Sequence, residues 1–346
     1  MIDETLIFRA DANEKIGSGH VMRSLALAQA WRNAGGHAVF VMDEVARDLE
    51  VRLIEEGVEV RSLGVPPGSS DDAEHLASLS HWLDAKWIVA DGYYFGSAYQ
   101  EIVKGKGLKL LLLDDFGHAD QYFADIVLNQ NIYADESFYE NRERYTTLLL
   151  GTGYALLRKE FLIYERRKRQ IPDLARKIIV TFGGADPENV TEQVAKALNR
   201  VKLSHLEVKI VIGPVNPHRQ SIEREWHSST RHFEFLHAVN DMAPIIAWGD
   251  IAIIGGGSTC WEMAFMGTPI LAVILAENQQ GIVEGLARAG AALNCGWFYE
   301  LNEESLSALL VQIVGDKKTR EELVKRGQWL VDGLGAQRVL RHMMAR

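Results

Sequence analysis

LIFRADANEKIGSGHVMRSLALAQAWRNAGG, residues 6–36, joins a short apolar run to a polar loop with two glycines, and then sets Val21, Leu25, Ala28 and Trp31 at helical spacing. A short apolar run bounded by turn residues reads as a buried strand, and the Gly35-Gly36 pair stops the helix that follows. The unit is strand, loop, helix. It recurs at AVFV around Val39, WIVAD ending at Asp91, LKLLLLD ending at Asp114 and ADIVLN ending at Asn129. Continuous apolar runs of this kind are strands of a parallel sheet, covered on both faces.

After TTLLLG (146–151) the pattern gives way to a polar, basic stretch containing Pro172, and a second series begins with KIIVTFGG, VKIVIG, DIAIIGGG and PILAVIL. The expected fold is therefore α/β, with two doubly wound Rossmann-like domains and a site in the cleft between them, at the carboxyl ends of the strands. Residues 1–165 form the first domain and 172–346 the second. The helix after KIIVTFGGAD is expected to start at Asp186-Pro187 and to run through Val190, Val194 and Leu198. Residues 304–314 and 336–346 read as covering helices, the last a candidate to return to the first domain.

A chain of 346 residues with 47% apolar side chains fills two cores. No apolar run reaches the roughly 18 residues of a membrane span, and MIDETLIF lacks the basic flank and apolar stretch of a signal peptide, so a cytoplasmic protein without stable membrane association is expected. Basic side chains number 37 against 47 acidic, a formal charge of -10. That balance repels nucleic acid, and an anionic ligand must be captured locally. The dense basic run ERRKRQ (165–170) reads as a phosphate patch or as a solvated helix end. Cys260 and Cys295 sit among apolar neighbours and read as reduced packing residues.

Two glycine-rich loops carry the chemistry. GSGH (17–20) opens the first helix, where Gly17 lets a ligand approach the backbone and the helix start favours negative charge. It is neither a dinucleotide fingerprint, since Met22 stands at the third glycine, nor a Walker loop, since no lysine follows. His20 there is either a satisfied structural histidine or a proton acceptor. GGGSTCWE (255–262) follows a strand and opens another helix, so Gly256, Gly257, Ser258 and Thr259 form a diphosphate site, with Glu262 one turn on and able to take two ribose hydroxyls. FGGAD (182–186), with Gly183 and Gly184, occupies the matching strand end. Asp11, Asp91 and Asp114-Asp115 close other strands and read equally as site carboxylates or turn caps. Tyr93 and Tyr94 follow Asp91. The histidine and cysteine spacings suit no metal site, and no cofactor is expected.

RADANEKIGSGHVMRSLALA, DGYY, LDD, VLNQNIYA, FGGAD, GGGSTCWE and AENQQ occur in one collinear order from about residue 7 to 295. In that order they resemble the UDP-2,4-diacetamido-2,4,6-trideoxy-β-L-altropyranose hydrolases of pseudaminic acid synthesis, within the glycosyltransferase-B superfamily. The carboxyl-terminal half also looks like the UDP-binding domain of the murein glycosyltransferase. The resemblance implies that His20 is the general base, that Tyr93 and Asn278 contact sugar or water, with Asp11 and Gly17 on the same side, and that Leu236 joins the UDP-binding residues. It also implies attack of water at the anomeric carbon with inversion, release of UDP, and no metal. Gly92 stands where family members carry histidine, and the GGGST loop is richer in glycine than theirs. A UDP-sugar transferase, a hydrolysing 2-epimerase using Asp91 or Asp114, and a catalytically silent UDP-sugar-binding protein are the alternatives.

Overall fold

The computed structural model describes residues 2–12, 17–43, 47–165, 169–201, 206–214, 216–226, 233–237 and 239–345. Three residues of the basic run, 166–168, and residues 13–16 of the loop before His20 lie outside them. The chain divides into two compact units, Met1–Lys159 with Gly333–Arg346, and Glu160–Asp332.

The first unit runs β1 (Thr5–Ala10), α1 (Gly19–Asn33), β2 (His37–Met42), α2 (Arg47–Glu55), β3 (Glu59–Ser62), α3 (Ser70–Trp82), β4 (Trp87–Asp91), α4 (Ser97–Gly105), β5 (Lys109–Leu113), β6 (Ile126–Asn129) and β7 (Thr147–Leu150), with the short α5 (Lys159–Leu162) at the boundary. Its seven strands pair in parallel in the order β3-β2-β1-β4-β5-β6-β7. The order reverses between β1 and β4, the point where doubly wound sheets open a crevice.

Strand alternation sorts the core. Leu6, Phe8 and Ala10 face one way, into a cluster with Leu25 and Ala28 of α1. Ile7 faces the other way, toward Ala73 and Leu76 of α3 and Val103 of α4. Phe8 pairs in register with Phe40, and their rings stack at 4.8 Å. Truncating so buried a phenylalanine to alanine costs about 3–5 kcal/mol. At the end of α1, Gly35 takes φ 103°, and a side chain on Gly36 would collide with the Trp31 indole at 2.1 Å.

The second unit runs β8 (Lys177–Thr181), α6 (Val190–Arg200), β9 (Glu207–Ile212), α7 (Arg219–Trp226), β10 (Phe233–His237), α8 (Ala243–Trp248), β11 (Ile251–Gly255), α9 (Thr259–Met266), β12 (Ile270–Ile274), α10 (Glu277–Arg288), β13 (Ala292–Trp297), α11 (Glu303–Gly315) and α12 (Lys317–Leu330). Its six parallel strands lie in the order β10-β9-β8-β11-β12-β13, again reversing beside the first strand. A final helix, α13 (Gly335–Met344), belongs to the first unit. Val339 and Met343 enter the cluster of α1, and Arg338 Nη1 donates to the Gly153 carbonyl at 2.6 Å.

The start of one helix differs from expectation. The helix after β8 begins at Val190, not at Pro187, because Asp186 and Asn189 adopt positive φ and break the helical path. Asp186 still caps it from a distance, accepting from the amides of Val190 at 2.8 Å and Thr191 at 3.0 Å. No helix among the described residues is long and apolar enough to cross a membrane.

Candidate active site

His20 sits in the first turn of α1, which begins right after the glycine loop, and is 8% exposed. Gly17 takes φ 69°, and the space beside its Cα and that of Gly19 is open. Asp91 closes β4, the neighbour of β1 across the switch point, and is completely buried. His20 Nδ1 lies 2.5 Å from Asp91 Oδ1. Arg23, three residues further along α1 and so on the same face, donates from Nη2 and Nε to the two oxygens of Asp91 at 2.6 and 2.7 Å. Its Nη1 donates to Asp115 Oδ1 at 2.7 Å.

Asp115, just beyond β5, also accepts from Asn131 Nδ2 at 2.8 Å and from the Tyr93 hydroxyl at 2.7 Å. That last bond turns the Tyr93 ring edge-on to His20, with centroids 5.1 Å apart. The structure thus brings together His20, Tyr93, Asp91 and Asp115, which the sequence marks singly, and adds Arg23, which it does not.

Burial alone would raise both carboxyls, but the Arg23 charge and the hydrogen bonds it donates outweigh burial, and both lie below the ordinary carboxylate range. With Asp91 held ionised, the proton shared with His20 resides on Nδ1, which leaves Nε2 as the acceptor. A carboxylate that fixes the tautomer of a histidine in this way prepares a general base.

Asp114 serves the loop rather than the site. Its oxygens accept from the amides of Phe116 and Gly117 at 2.8 Å and from the Tyr122 hydroxyl at 2.5 Å, and His118 Nδ1 lies 3.0 Å away. Asp11, expected from the sequence on the sugar side, is likewise occupied. Its Oδ1 accepts from the Asp43 amide at 2.7 Å, and its Oδ2 from Arg9 Nη1 at 2.7 Å and from the Tyr94 hydroxyl. Arg9, on the Ile7 face of β1, also donates to Asp72 of α3 at 3.0 Å. This second buried network fixes the ends of β1 and β2.

In the second unit, GGGST turns from β11 into α9, with Ser258 at the amino-terminal cap position, its side chain making no capping bond, and Gly257, Ser258 and Thr259 half-exposed. Gly256 departs from expectation, because its amide already donates to the Val273 carbonyl at 3.1 Å and to Gln279 Oε1 at 2.9 Å. The diphosphate reading therefore rests on the next three amides and the two hydroxyls. Gln279 carries no sequence signal of its own; it ties this loop to α10, also accepting from the Leu275 amide at 3.3 Å. Asn278 beside it is exposed in the first turn of α10.

Gly183, with φ 83°, and Gly184 close β8, which pairs with β11, so both glycine loops lie at one end of the sheet. Added side-chain carbon on Gly213, after β9, would meet the Gly184 carbonyl oxygen at 2.2 Å, so the two loops pack backbone to backbone. Leu236 lies half-buried in β10, and Glu262 half-buried in α9. Among the described residues no group of three histidine, cysteine, aspartate or glutamate side chains is placed to hold a metal ion.

Residues 178–328 match the glycosyltransferase family 28 C-terminal domain. The chain is 26% identical, over 82% of its length and 97% of the relative's, to the UDP-2,4-diacetamido-2,4,6-trideoxy-beta-L-altropyranose hydrolase of Campylobacter jejuni. A second relative, the spore coat polysaccharide biosynthesis protein SpsG of Bacillus subtilis, is 28% identical over 67% of this chain and 68% of its own. Among solved structures, MurG of Acinetobacter baumannii superposes with a TM-score of 0.65 at 15% identity, covering 99% of this chain and 100% of its own. The fold is thus α/β of the glycosyltransferase-B kind, with two Rossmann-like sheets.

Proposed function

We propose that this chain hydrolyses a UDP-linked 2,4-diacetamido-2,4,6-trideoxy-L-altrose at its anomeric carbon, freeing UDP and the sugar for pseudaminic acid synthesis. The observation that carries the proposal is the His20–Asp91 pair at a glycine-rich strand end, in a chain similar to the C. jejuni hydrolase over almost all of that relative. His20 Nε2 takes a proton from water as its oxygen bonds to the anomeric carbon. The bond from that carbon to the diphosphate oxygen breaks, and UDP leaves with the electron pair. Attack opposite the leaving group inverts the centre. A well-placed base contributes about 10²- to 10⁴-fold.

Gly257, Ser258 and Thr259 hold the departing diphosphate, and the start of α9 favours its charge, so the protein itself can stabilise the leaving group. Gly183, Gly184 and Leu236 line the nucleotide, Gly256 keeps the backbone slim, and Glu262 takes the ribose. Tyr93 and Asn278 meet the sugar or the water.

One observation weighs against the epimerase reading. An epimerase needs carboxyls that gain and lose protons near neutrality, whereas Asp91 is pulled below the usual carboxylate range by Arg23 and Asp114 by His118, each against the effect of burial. A UDP-sugar transferase is the second reading, favoured by the family 28 match over residues 178–328. The test is release of UDP from the named UDP-sugar with EDTA and no acceptor, by wild type and His20→Ala. Release that vanishes in the variant supports the hydrolase; tight UDP binding without release by wild type favours transfer to an acceptor.

A further inference from the structure

We propose that Arg23 is a positioning residue that sets the proton affinity of His20, acting as an electrostatic bridge between Asp91 and Asp115. The proposal rests on His20 being the base of the reaction above, and extends it to how that base is tuned.

The geometry is specific to a guanidinium. Arg23 is 8% exposed and spends Nε and Nη2 on the two oxygens of Asp91, and Nη1 on Asp115. A planar fork can span two carboxylates in this way; a lysine ammonium reaches only one point. The same Nη2 lies 3.2 Å from His20 Nδ1, too close for its charge not to be felt there. Two carboxylates against one guanidinium leave this cluster with one net negative charge while His20 is neutral. That charge is cancelled when His20 takes the proton of the attacking water. Without Arg23, two uncompensated carboxylates would favour the protonated form of His20; with Arg23 and Asp91 alone, those two charges cancel and the imidazolium would leave the cluster with one net positive charge.

Among the described residues, the other ionisable groups near His20 do not alter this balance. The Tyr93 hydroxyl donates to Asp115 at 2.7 Å. Tyr133 is kept protonated, by burial first and then by the Asp115 charge. His118 and Asp114, on the far side of Tyr93, form their own pair.

The test reads His20 directly. The imidazole of ¹⁵N-histidine-labelled protein is followed by NMR against pH, in the full chain without substrate, with His20→Asn to assign its signal. Arg23→Met is expected to raise the titration midpoint of His20 by about one unit or more, and Asp115→Asn to lower it, since a neighbouring charge moves a group by about 1–3 units. Arg23→Lys, which keeps the charge but reaches only one carboxylate, is expected to raise the midpoint by less than Arg23→Met does. The acidic limb of kcat/KM for UDP release shifts in the same directions as the midpoints. Unchanged midpoints in Arg23→Met and Asp115→Asn, or shifts of the same sign, overturn the proposal. If Arg23→Met does not fold, a lowered midpoint in Asp115→Asn supports the proposal and an unchanged one overturns it. A wild-type protein that releases no UDP would refute the hydrolase, while the NMR midpoints would still decide the role of Arg23.

Discussion

Replacing Asp91 by asparagine keeps the shape of the site and removes one charge. Asp91 is wholly buried and accepts from His20, twice from Arg23, and from Ser24 at 3.3 Å. Two losses follow. The imidazolium that forms as His20 takes a proton loses its counter-charge, worth about 4 kcal/mol for charges about 4 Å apart at an effective dielectric of about 20. The amide can also turn its NH₂ toward Nδ1, which stabilises the tautomer whose Nε2 already carries a proton and cannot act as a base. At about 1.4 kcal/mol per factor of ten, kcat should fall by about 10³.

Stability should fall by less than the roughly 3–5 kcal/mol of a broken buried ion pair, because Arg23 keeps Asp115 as its partner. The assay is single-turnover UDP release, accompanied by urea unfolding and by calorimetric titration with UDP. A fall of about a thousandfold in kcat with UDP affinity retained supports the pair as the catalytic base. A kcat within threefold of wild type would refute the assignment of His20 and Asp91.

Gly257→Ala and Gly256→Ala should behave oppositely. A Cβ on Gly257 meets nothing within 4 Å, so the variant should fold normally yet bind UDP at least tenfold more weakly in calorimetry; one on Gly256 would lie 2.5 Å from Val283 Cγ2 and should lower the melting temperature. Burial would raise Asp91, Asp114 and Asp115, but Arg23 and His118 more than offset it, so all three lie below their usual range when folded. Their contribution to stability is complete above the unfolded carboxylate value, about 3.9, and is lost as pH falls through the depressed folded values; urea midpoints should therefore drop steeply below about pH 4. Burial pushes the Cys260 and Cys295 thiols up to about 12, so the native protein should resist maleimide at pH 8 and both thiols should react in denaturant, as mass spectrometry would show.

What is legible in the sequence follows from which strands are covered on both faces. β1, β4, β5, β8, β11 and β12 are central strands with continuous apolar runs, and each can be read directly. β3, β7, β10 and β13 are edge strands; TLLL of β7 still carries a short apolar run, but EVRS and FEFLH do not, because one flank meets solvent. Helix spacing is plain where an apolar stripe packs on a neighbouring element, as α1 does on its sheet and α11 on α6. The start of α6 departs from the expected position because two positive-φ residues are invisible in a pattern of apolar spacing.

The site divides along the same line. His20 and the GGGST loop announce themselves locally, as residue types at a strand end that opens a helix. The partners that give them meaning do not: Asp91 meets His20 across 71 positions of chain, and Arg23 meets Asp115 across 92. An aspartate at a strand end reads equally as a turn cap, and Asp114 is one, whereas its neighbour Asp115 faces Arg23. Adjacent residues beyond a strand end thus diverge between loop and site, a choice made by the fold and not by the dipeptide. Arg23 does carry one local signal. It lies three residues after His20 on a helix whose buried face is, apart from His20 and Gln29, otherwise apolar or small, and a charge on such a face requires a buried partner.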